Sequence, residues 1–444
     1  MQVMFMFYYV KIYLNIFHVP QMWFNIAQTL FMFWNAINDP LFGYMQDKPG
    51  SWLNSRTRVI RTFAPFLISS FVFMWMPWSE GTALEGVHFI LSLFLYDAFY
   101  SAIGVAWGAF FADTTKDPRL RVSAMKYSQI SILASVNIIA ITEKLSHSLE
   151  RFWAFQMTTV VVAFIALYCF VIAGSFKPSL PFVVEKGSLL AEMEDPTAPE
   201  QPVHRGKELD SMWSATREIF AAKDFIAIIS SNFIHTARSV AHMNFASTAT
   251  EILIPQTILP KGSLRLSLFY GILTLGPQIL LILNERIVVK QGAYRILMAS
   301  YIVSFLSGLI FFFVTDPYLI IVFMIVDSIT VHSAAPLFNI IISDFIDDDA
   351  RRHSRKSGLS SLVFSLNALI VKPAQSVAPV LVVYILNNYR YQEYISSKEP
   401  SPELADGIRI LLMSTPLILG GLQYFIFKSY SLRNKHILKP EEDI

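Results

Sequence analysis

Cysteine occurs once in the 444 residues, at Cys169, which excludes an intramolecular disulfide and a thiolate zinc site. Charge is also scarce. Asp, Glu, Lys and Arg make up 15% of the chain, against about 25% in soluble domains, leaving too little polar surface to solvate a globule of this size. The net charge of +2 excludes a nucleic-acid binder that works by neutralising phosphates. The motifs His-Glu-x-x-His, Gly-x-Ser-x-Gly, Gly-x-Gly-x-x-Gly and the Walker loop do not occur, so neither soluble catalysis nor direct ATP coupling has a basis in the sequence. The chain is not expected to be an enzyme or to carry a cofactor. Asn-x-Ser/Thr is missing as well, so glycosylation gives no check on topology.

What the chain has is apolar length. Hydrophobic residues reach 54%, with 37 Phe, 18 Tyr, 16 Met and 8 Trp. At about 37 residues per membrane helix and connection, the length accommodates about twelve spans. Eleven apolar runs fit: 22–43, 59–78, 86–112, 122–142, 151–174, 224–250, 264–283, 293–314, 317–345, 358–386 and 407–428. The twelfth is the N-terminal segment, where Lys11 follows only ten uncharged residues and a shortened first span is expected. Lys and Arg concentrate in the even-numbered connections and the tail, which places both termini in the cytoplasm of a multi-pass membrane protein, with the plasma membrane as its expected location.

Residues 176–223 are polar and proline-punctuated and read as a cytoplasmic linker, ending in a short helix before Ala221. They separate an N-terminal six-helix half, 1–175, from a C-terminal one, 224–430, with a tail over 431–444. The halves echo each other. Asp97 stands 16 residues before Asp113 and a basic loop, and Asp327 stands 17 before Asp344 and a basic loop. Such a repeat is the pattern of a transporter whose site lies between its halves. The run Asp347-Asp348-Asp349, beside Arg351 and Arg352, reads as a solvated loop rather than a metal loop, and no metal site is expected.

Five ionisable residues fall inside apolar runs: Asp39, Asp97, Arg238, Asp327 and Lys372. Each costs about 2.5–3.5 kcal/mol at a helix centre, so each should face a partner or a water-filled cavity. They serve either as inter-helix ion pairs or as an ion and substrate pathway. In the second span, Asn35, Asn38, Asp39 and Gly43 share one helical face, and Pro40 frees a backbone carbonyl near position 36. Carboxylate, amide and carbonyl oxygens suit Na⁺, while a lone carboxylate could carry a proton. The fourth span offers Asp97 and Ser101, and the seventh a stripe of His235, Arg238 and His242.

At these residues the chain resembles the major facilitator superfamily, and within it the glycoside-pentoside-hexuronide cation symporters typified by the melibiose permease. The stretch WNAINDPLFG, residues 34–43, is similar to their second-helix motif Trp-Asp-Ala-Ile-Asn-Asp-Pro-x-x-Gly. The resemblance implies an all-α fold of two six-helix halves and a cation site at Asp39, with Asn38 beside it, Asp97 as the fourth-helix acid and Lys372 as the eleventh-helix lysine. Asn35 stands where those symporters have a second acid, and Ser101 where they have an aromatic sugar platform. The segment from Gly43 to Asp47, with Arg56 and Arg58, resembles the superfamily's cytoplasmic latch motif. Asp113, Asp344, Arg351 and Arg352 are its expected counterparts at the other basic loops. Over nearly its whole length the chain also resembles the transmembrane protein 180 family, an animal branch of the superfamily.

The function these features imply is cation-coupled (H⁺ or Na⁺) solute symport by alternating access. Asp39, Asn35, Asn38, Asp97 and Lys372 are the expected coupling residues, and Arg238, His235, His242, Asp327 and Ser101 the candidates for a substrate cavity. The expected partners are the lipid bilayer and a small solute, with no nucleic acid and no obligate protein partner. A non-transporting receptor or scaffold and a carrier of lipid-like substrates are the alternatives.

Overall fold

The computed structural model describes residues 1–48, 50–78, 82–114, 117–146, 149–176, 205–260, 263–353, 359–391, 393–394 and 399–433. Most of the linker and of the C-terminal tail therefore lies outside the described residues. The described chain is helical, as the fold class requires. The helices are α1 (Gln2–Asn15), α2 (Gln21–Asp47), α3 (Arg56–Phe73), α4 (Ala83–Thr114), α5 (Pro118–Ser146), α6 (Phe152–Gly174), α7 (Arg205–Ala221) and α8 (Lys223–Leu253). They continue with α9 (Leu264–Leu283), α10 (Glu285–Gln291), α11 (Ala293–Phe311), α12 (Pro317–His332), α13 (Ala335–Arg352), α14 (Ser360–Val371), α15 (Pro373–Asn387) and α16 (Pro402–Lys428).

Among the described residues, seven helical stretches are long and apolar enough to cross a membrane by length and composition: α4, α6, α9, α11, α12 with α13, α14 with α15, and α16. Four other expected spans, α2, α3, α5 and α8, fall short of that measure. Their polar content is the reason: three arginines begin α3, Asn35, Asn38 and Asp39 sit in α2, and Asn232, His235, Arg238 and His242 in α8. The shortened first span is α1, whose 14 residues rise about 21 Å against a hydrocarbon core of about 30 Å.

Two expected single spans are broken. The ninth-to-tenth turn leads into α12, whose N-cap Asp316 accepts from the amides of Tyr318 and Leu319 at 3.0 Å, but that helix stops at His332 before α13 restarts at Ala335-Pro336. The eleventh span breaks at Lys372, because Pro373 has no N–H to continue the ladder. The acidic run is not a solvated loop. Residues 347–349 form the last turns of α13, and Asp348 and Asp349 are buried, because arginines and a histidine one helical turn on cover them.

The chain divides into two compact units. The first holds Met1–Lys116, Val136–Ala222 and Ser357–Leu366, and the second holds Asp117–Ser135, Lys223–Lys356 and Asn367–Ile444. In the first unit α1 turns Met4, Phe5, Tyr8, Ile12 and Tyr13 inward at helical spacing, against Phe89, Tyr96 and Phe155. The Tyr13 hydroxyl donates to the Met74 carbonyl at 2.8 Å, satisfying a polar atom that burial would otherwise penalise. The opposite kind of surface lies on α6, where Trp153, Met157, Val161, Phe164 and Tyr168 are exposed, the apolar face a helix shows to lipid.

Between helices in lipid, apolar burial supplies little drive, so close packing must hold them. In the second unit α11 and α16 approach through small residues. A Cβ on Gly308 would stand 2.6 Å from the Leu417 amide nitrogen and 2.8 Å from the Met413 carbonyl oxygen. Gly308→Val should therefore cost about 1–3 kcal/mol by overpacking and lower the melting temperature of detergent-solubilised protein. Gly271→Ala, with nothing within 4 Å of its Cβ position, should leave it unchanged.

Candidate functional site

In the first unit, α2 and α4 pack face to face and bring three of the expected coupling residues, Asn38, Asp39 and Asp97, together with the cavity candidate Ser101 onto one seam. Asn38, Asp39, Asp97 and Ser101 are all buried, at 0%, 2%, 8% and 3% exposure. The Asn38 amide donates to the Asp97 carboxylate, tying the face of α2 that carries Asp39 to the acid of α4. Trp34 stacks on Phe94 at 5.1 Å, and the Gln46 amide donates to the Ala102 carbonyl at 2.8 Å, so the seam is held at both ends. Asn35 is half-buried on the same helix. Lys372 is half-buried at the break between α14 and α15 in the second unit, where its amide donates to the Ala368 carbonyl at 2.9 Å.

At the C-terminal end of α2, beyond the apolar run, Asp47 and Arg56 pair at 2.6 Å. Arg56 also donates to Asp113 at 3.2 Å and to the Gln46 carbonyl at 2.9 Å. Both acids reach the start of α14: Asp47 accepts from the Leu362 amide at 2.7 Å, and Asp113 accepts from the Ser360 hydroxyl. Carboxylates at a helix N-terminus satisfy orphan amides and complement its dipole. Burial pushes the Asp47 carboxyl above its ordinary range, while Arg56 and the Leu362 amide pull it down. Burial weighs against the Arg56 charge too, but Asp47 and Asp113 outweigh it and hold the guanidinium above its ordinary value. Gly43 is required here, since a Cβ would stand 2.8 Å from the Ser361 carbonyl oxygen. Arg58 is exposed, and no ion pair among the described residues includes it.

The second unit has its own cluster. Arg121, only 1% exposed, bonds Asp344 at 3.0 Å and Asp347 at 2.8 Å. Lys126 and Ser123 both bond Glu285 at 2.5 Å and hold its carboxyl below the usual range. Arg351 pairs with Asp348, and Arg352 with Asp348 and Asp224. The sequence reading counted Arg121 only as a loop charge and overlooked Glu285 and Asp224. Their signal was available: both are acids in the first turn of a helix, where a carboxylate is favoured.

Deeper in the second unit, Asp327 of α12 joins α8. Arg238 contacts one Asp327 oxygen at 3.0 Å, and His242 Nδ1 lies 3.1 Å from the other. Arg238 further donates to Gln423 of α16 at 3.0 Å and to Ser304 of α11. Arg238, His242 and Asp327 form one wall of a cavity of about 620 Å³, part of it open to the surroundings, between α8, α12, α15 and α16. His235 lies outside it, buried against the Phe338 ring at 5.3 Å. Gln423 and Ser304 also escaped the sequence reading, because neutral polar residues in apolar runs carry no hydropathy penalty large enough to mark them.

A further buried pair was unforeseen. Glu85 and His88, one turn apart at the start of α4, are 2.7 Å apart with no exposure. Trp78 stacks on the imidazole at 4.8 Å, and its amide donates to Glu85 at 2.8 Å. The i,i+3 spacing was the available signal.

Comparison with known proteins places this arrangement. The sequence profile of a family described as MFS/sugar transport protein matches residues 1–434. Proteins called transmembrane protein 180 from Gallus gallus and Mus musculus are each 24% identical, over 98% of this chain and 90% of theirs. The crystal structure of the human organic anion transporter MFSD10 (TETRAN) superposes with a TM-score of 0.55 at 12% identity, covering 90% of this chain and 83% of that one. The transporter FucP, of the Major Facilitator Superfamily, in its outward conformation, gives the same score and identity, over 90% of this chain and 89% of its own. At that identity the likeness is one of fold.

The buried Asp47–Arg56 pair makes a prediction. Arg56→Gln strands a buried carboxylate at a cost on the order of 3–5 kcal/mol, and Asp47→Asn in the same chain should recover most of that loss. Thermal unfolding of the two single variants and the double variant measures the coupling, and simply additive losses would contradict it.

Proposed function

The chain belongs to the MFS/sugar transport protein family of the major facilitator superfamily, and from that premise we propose that it is a secondary active transporter coupling a small solute to a cation gradient. The observation that carries this reading is the α2–α4 seam, where Asp39 and Asp97 are both buried and Asn38 bridges to Asp97. A buried carboxylate is costly unless protein partners, a cation or a proton compensate it. A cation or proton bound at a seam with two acids adds to that compensation. Occupancy then shifts the balance between two packings of the protein, which is what alternating access requires. Pro40, by leaving the carbonyl of residue 36 without its helical donor, adds a hard oxygen to the same turn.

Lys372, at a helix break, is the proposed competitor for these carboxylates, and residues 1–175 and 224–430 are the proposed repeats. Asn35 in place of a second α2 acid lowers the charge of the site, which favours a proton over Na⁺. The apolar cavity of the second unit supports a more lipid-like cargo than a sugar.

The test is uptake into proteoliposomes of a panel of labelled sugars and organic acids under an imposed pH or Na⁺ gradient. Asp39→Asn should lose gradient-driven accumulation at least tenfold while keeping the melting temperature of the parent. Undiminished accumulation by that variant would remove Asp39 from the coupling site.

A further inference from the structure

The cavity within the second unit is chemically lopsided. Its described lining is Phe245, Met324, Leu386, Ile408, Leu411 and other apolar side chains, with Thr248 and Thr415 as minor polar points, and its ionic groups are confined to Arg238, His242 and Asp327. From this asymmetry we infer that the cavity binds an amphiphilic organic acid, its apolar body against α15 and α16 and its carboxylate on Arg238. The inference rests on reading this unit as facing substrate, and it names the substrate class.

Three arguments select that class. A sugar would turn hydroxyls toward Phe245, Met324 and Leu386, each unpaired hydroxyl losing about 1–3 kcal/mol, so a polyol is disfavoured. An ammonium would have to take Asp327 from Arg238, leaving without its carboxylate a guanidinium that cannot shed its charge. A carboxylate can take the place of Asp327 on Arg238, because that fork already serves Asp327, Gln423 and Ser304 from donors on one plane.

The exchange also balances charge. With Asp327 against Arg238 the wall is neutral, so an added anion calls for one proton. The groups facing His242 are Asp327 and His332 of α12 and Arg238 of its own helix, and the cavity lining from α15 and α16 adds no titratable side chain. His242 uses Nδ1 toward Asp327, and its buried Nε2 has no hydrogen-bond partner among the described residues. That nitrogen is the place for the proton, making an imidazolium that keeps Asp327 compensated once Arg238 turns to the ligand.

Titration calorimetry on full-length protein in lipid nanodiscs tests this with three probes of one body: 4-phenylbutyrate, 4-phenylbutanol and 4-phenylbutylamine. The acid should bind at least tenfold tighter than the alcohol or amine, and Arg238→Gln should erase the difference. Should that variant not fold, Arg238→Gln with Asp327→Asn, which leaves no unpaired charge, and Ile408→Trp, which fills the cavity, take its place and should each weaken the acid at least tenfold. Repeating the titration in buffers of different ionisation enthalpy should show about one proton taken up. Equal binding of acid and alcohol, or undiminished binding in these variants, overturns the assignment, and binding without proton uptake overturns the exchange with Asp327. Because binding is read at equilibrium without a gradient, the two readings fail separately: a protein that binds the acid in the cavity but accumulates nothing under a gradient overturns the coupling reading alone, and one that accumulates solute but binds acid and alcohol equally overturns this inference alone.

Discussion

A charge in hydrocarbon has nowhere to go. Water cannot reach it, and the cost of leaving it bare is comparable to a sizeable share of the stability of the whole protein. In this chain that constraint organises both compact units. Arg238 is met by Asp327, Gln423 and Ser304 from three other helices, Asp97 by Asn38, and Glu85 by His88 and the Trp78 amide. The contacts of Arg238 and Asp97 tie one helix to its neighbours more selectively than apolar packing does, since a small displacement that an apolar face tolerates would break a hydrogen bond.

The same constraint divides the polar clusters by role. Those toward the helix ends, Asp47 with Arg56 and Arg121 with Asp344 and Asp347, are charge pairs, and Asp47 also caps the start of α14. Those in mid-helix leave something over. Asn38 bridges to Asp97 from a helix that also buries Asp39, and the Arg238–Asp327–His242 group lines an open cavity, with the His242 Nε2 lacking a hydrogen-bond partner among the described residues. A purely structural pair has no use for a cavity at its side.

Legibility in the sequence followed the size of each signal. Asp39, Asp97, Arg238, Asp327 and Lys372 stood out because a single ionisable residue in twenty apolar ones is conspicuous. Gln423 and Ser304 did not, although they complete the shell of Arg238, because neutral polar residues are common in membrane helices. The break at Lys372 was written in Pro373, whereas the stop at His332 had no mark as plain. The acidic run at 347–349 misled because three consecutive acids suggest a solvated loop, when arginines and a histidine one turn along in the same helix cover two of them.

Sequence alone determined that this chain is helical, lives in a membrane and carries acids on particular helical faces. These follow from hydropathy and from the 3.6-residue period, both local properties. Only the tertiary structure decided which acid meets which base, that Asp47 caps a helix more than 300 residues away along the chain, and that Arg238, His242 and Asp327 share the wall of one cavity. The reason is that partner choice depends on separations of a few ångströms between helices remote in sequence, and no local pattern encodes those.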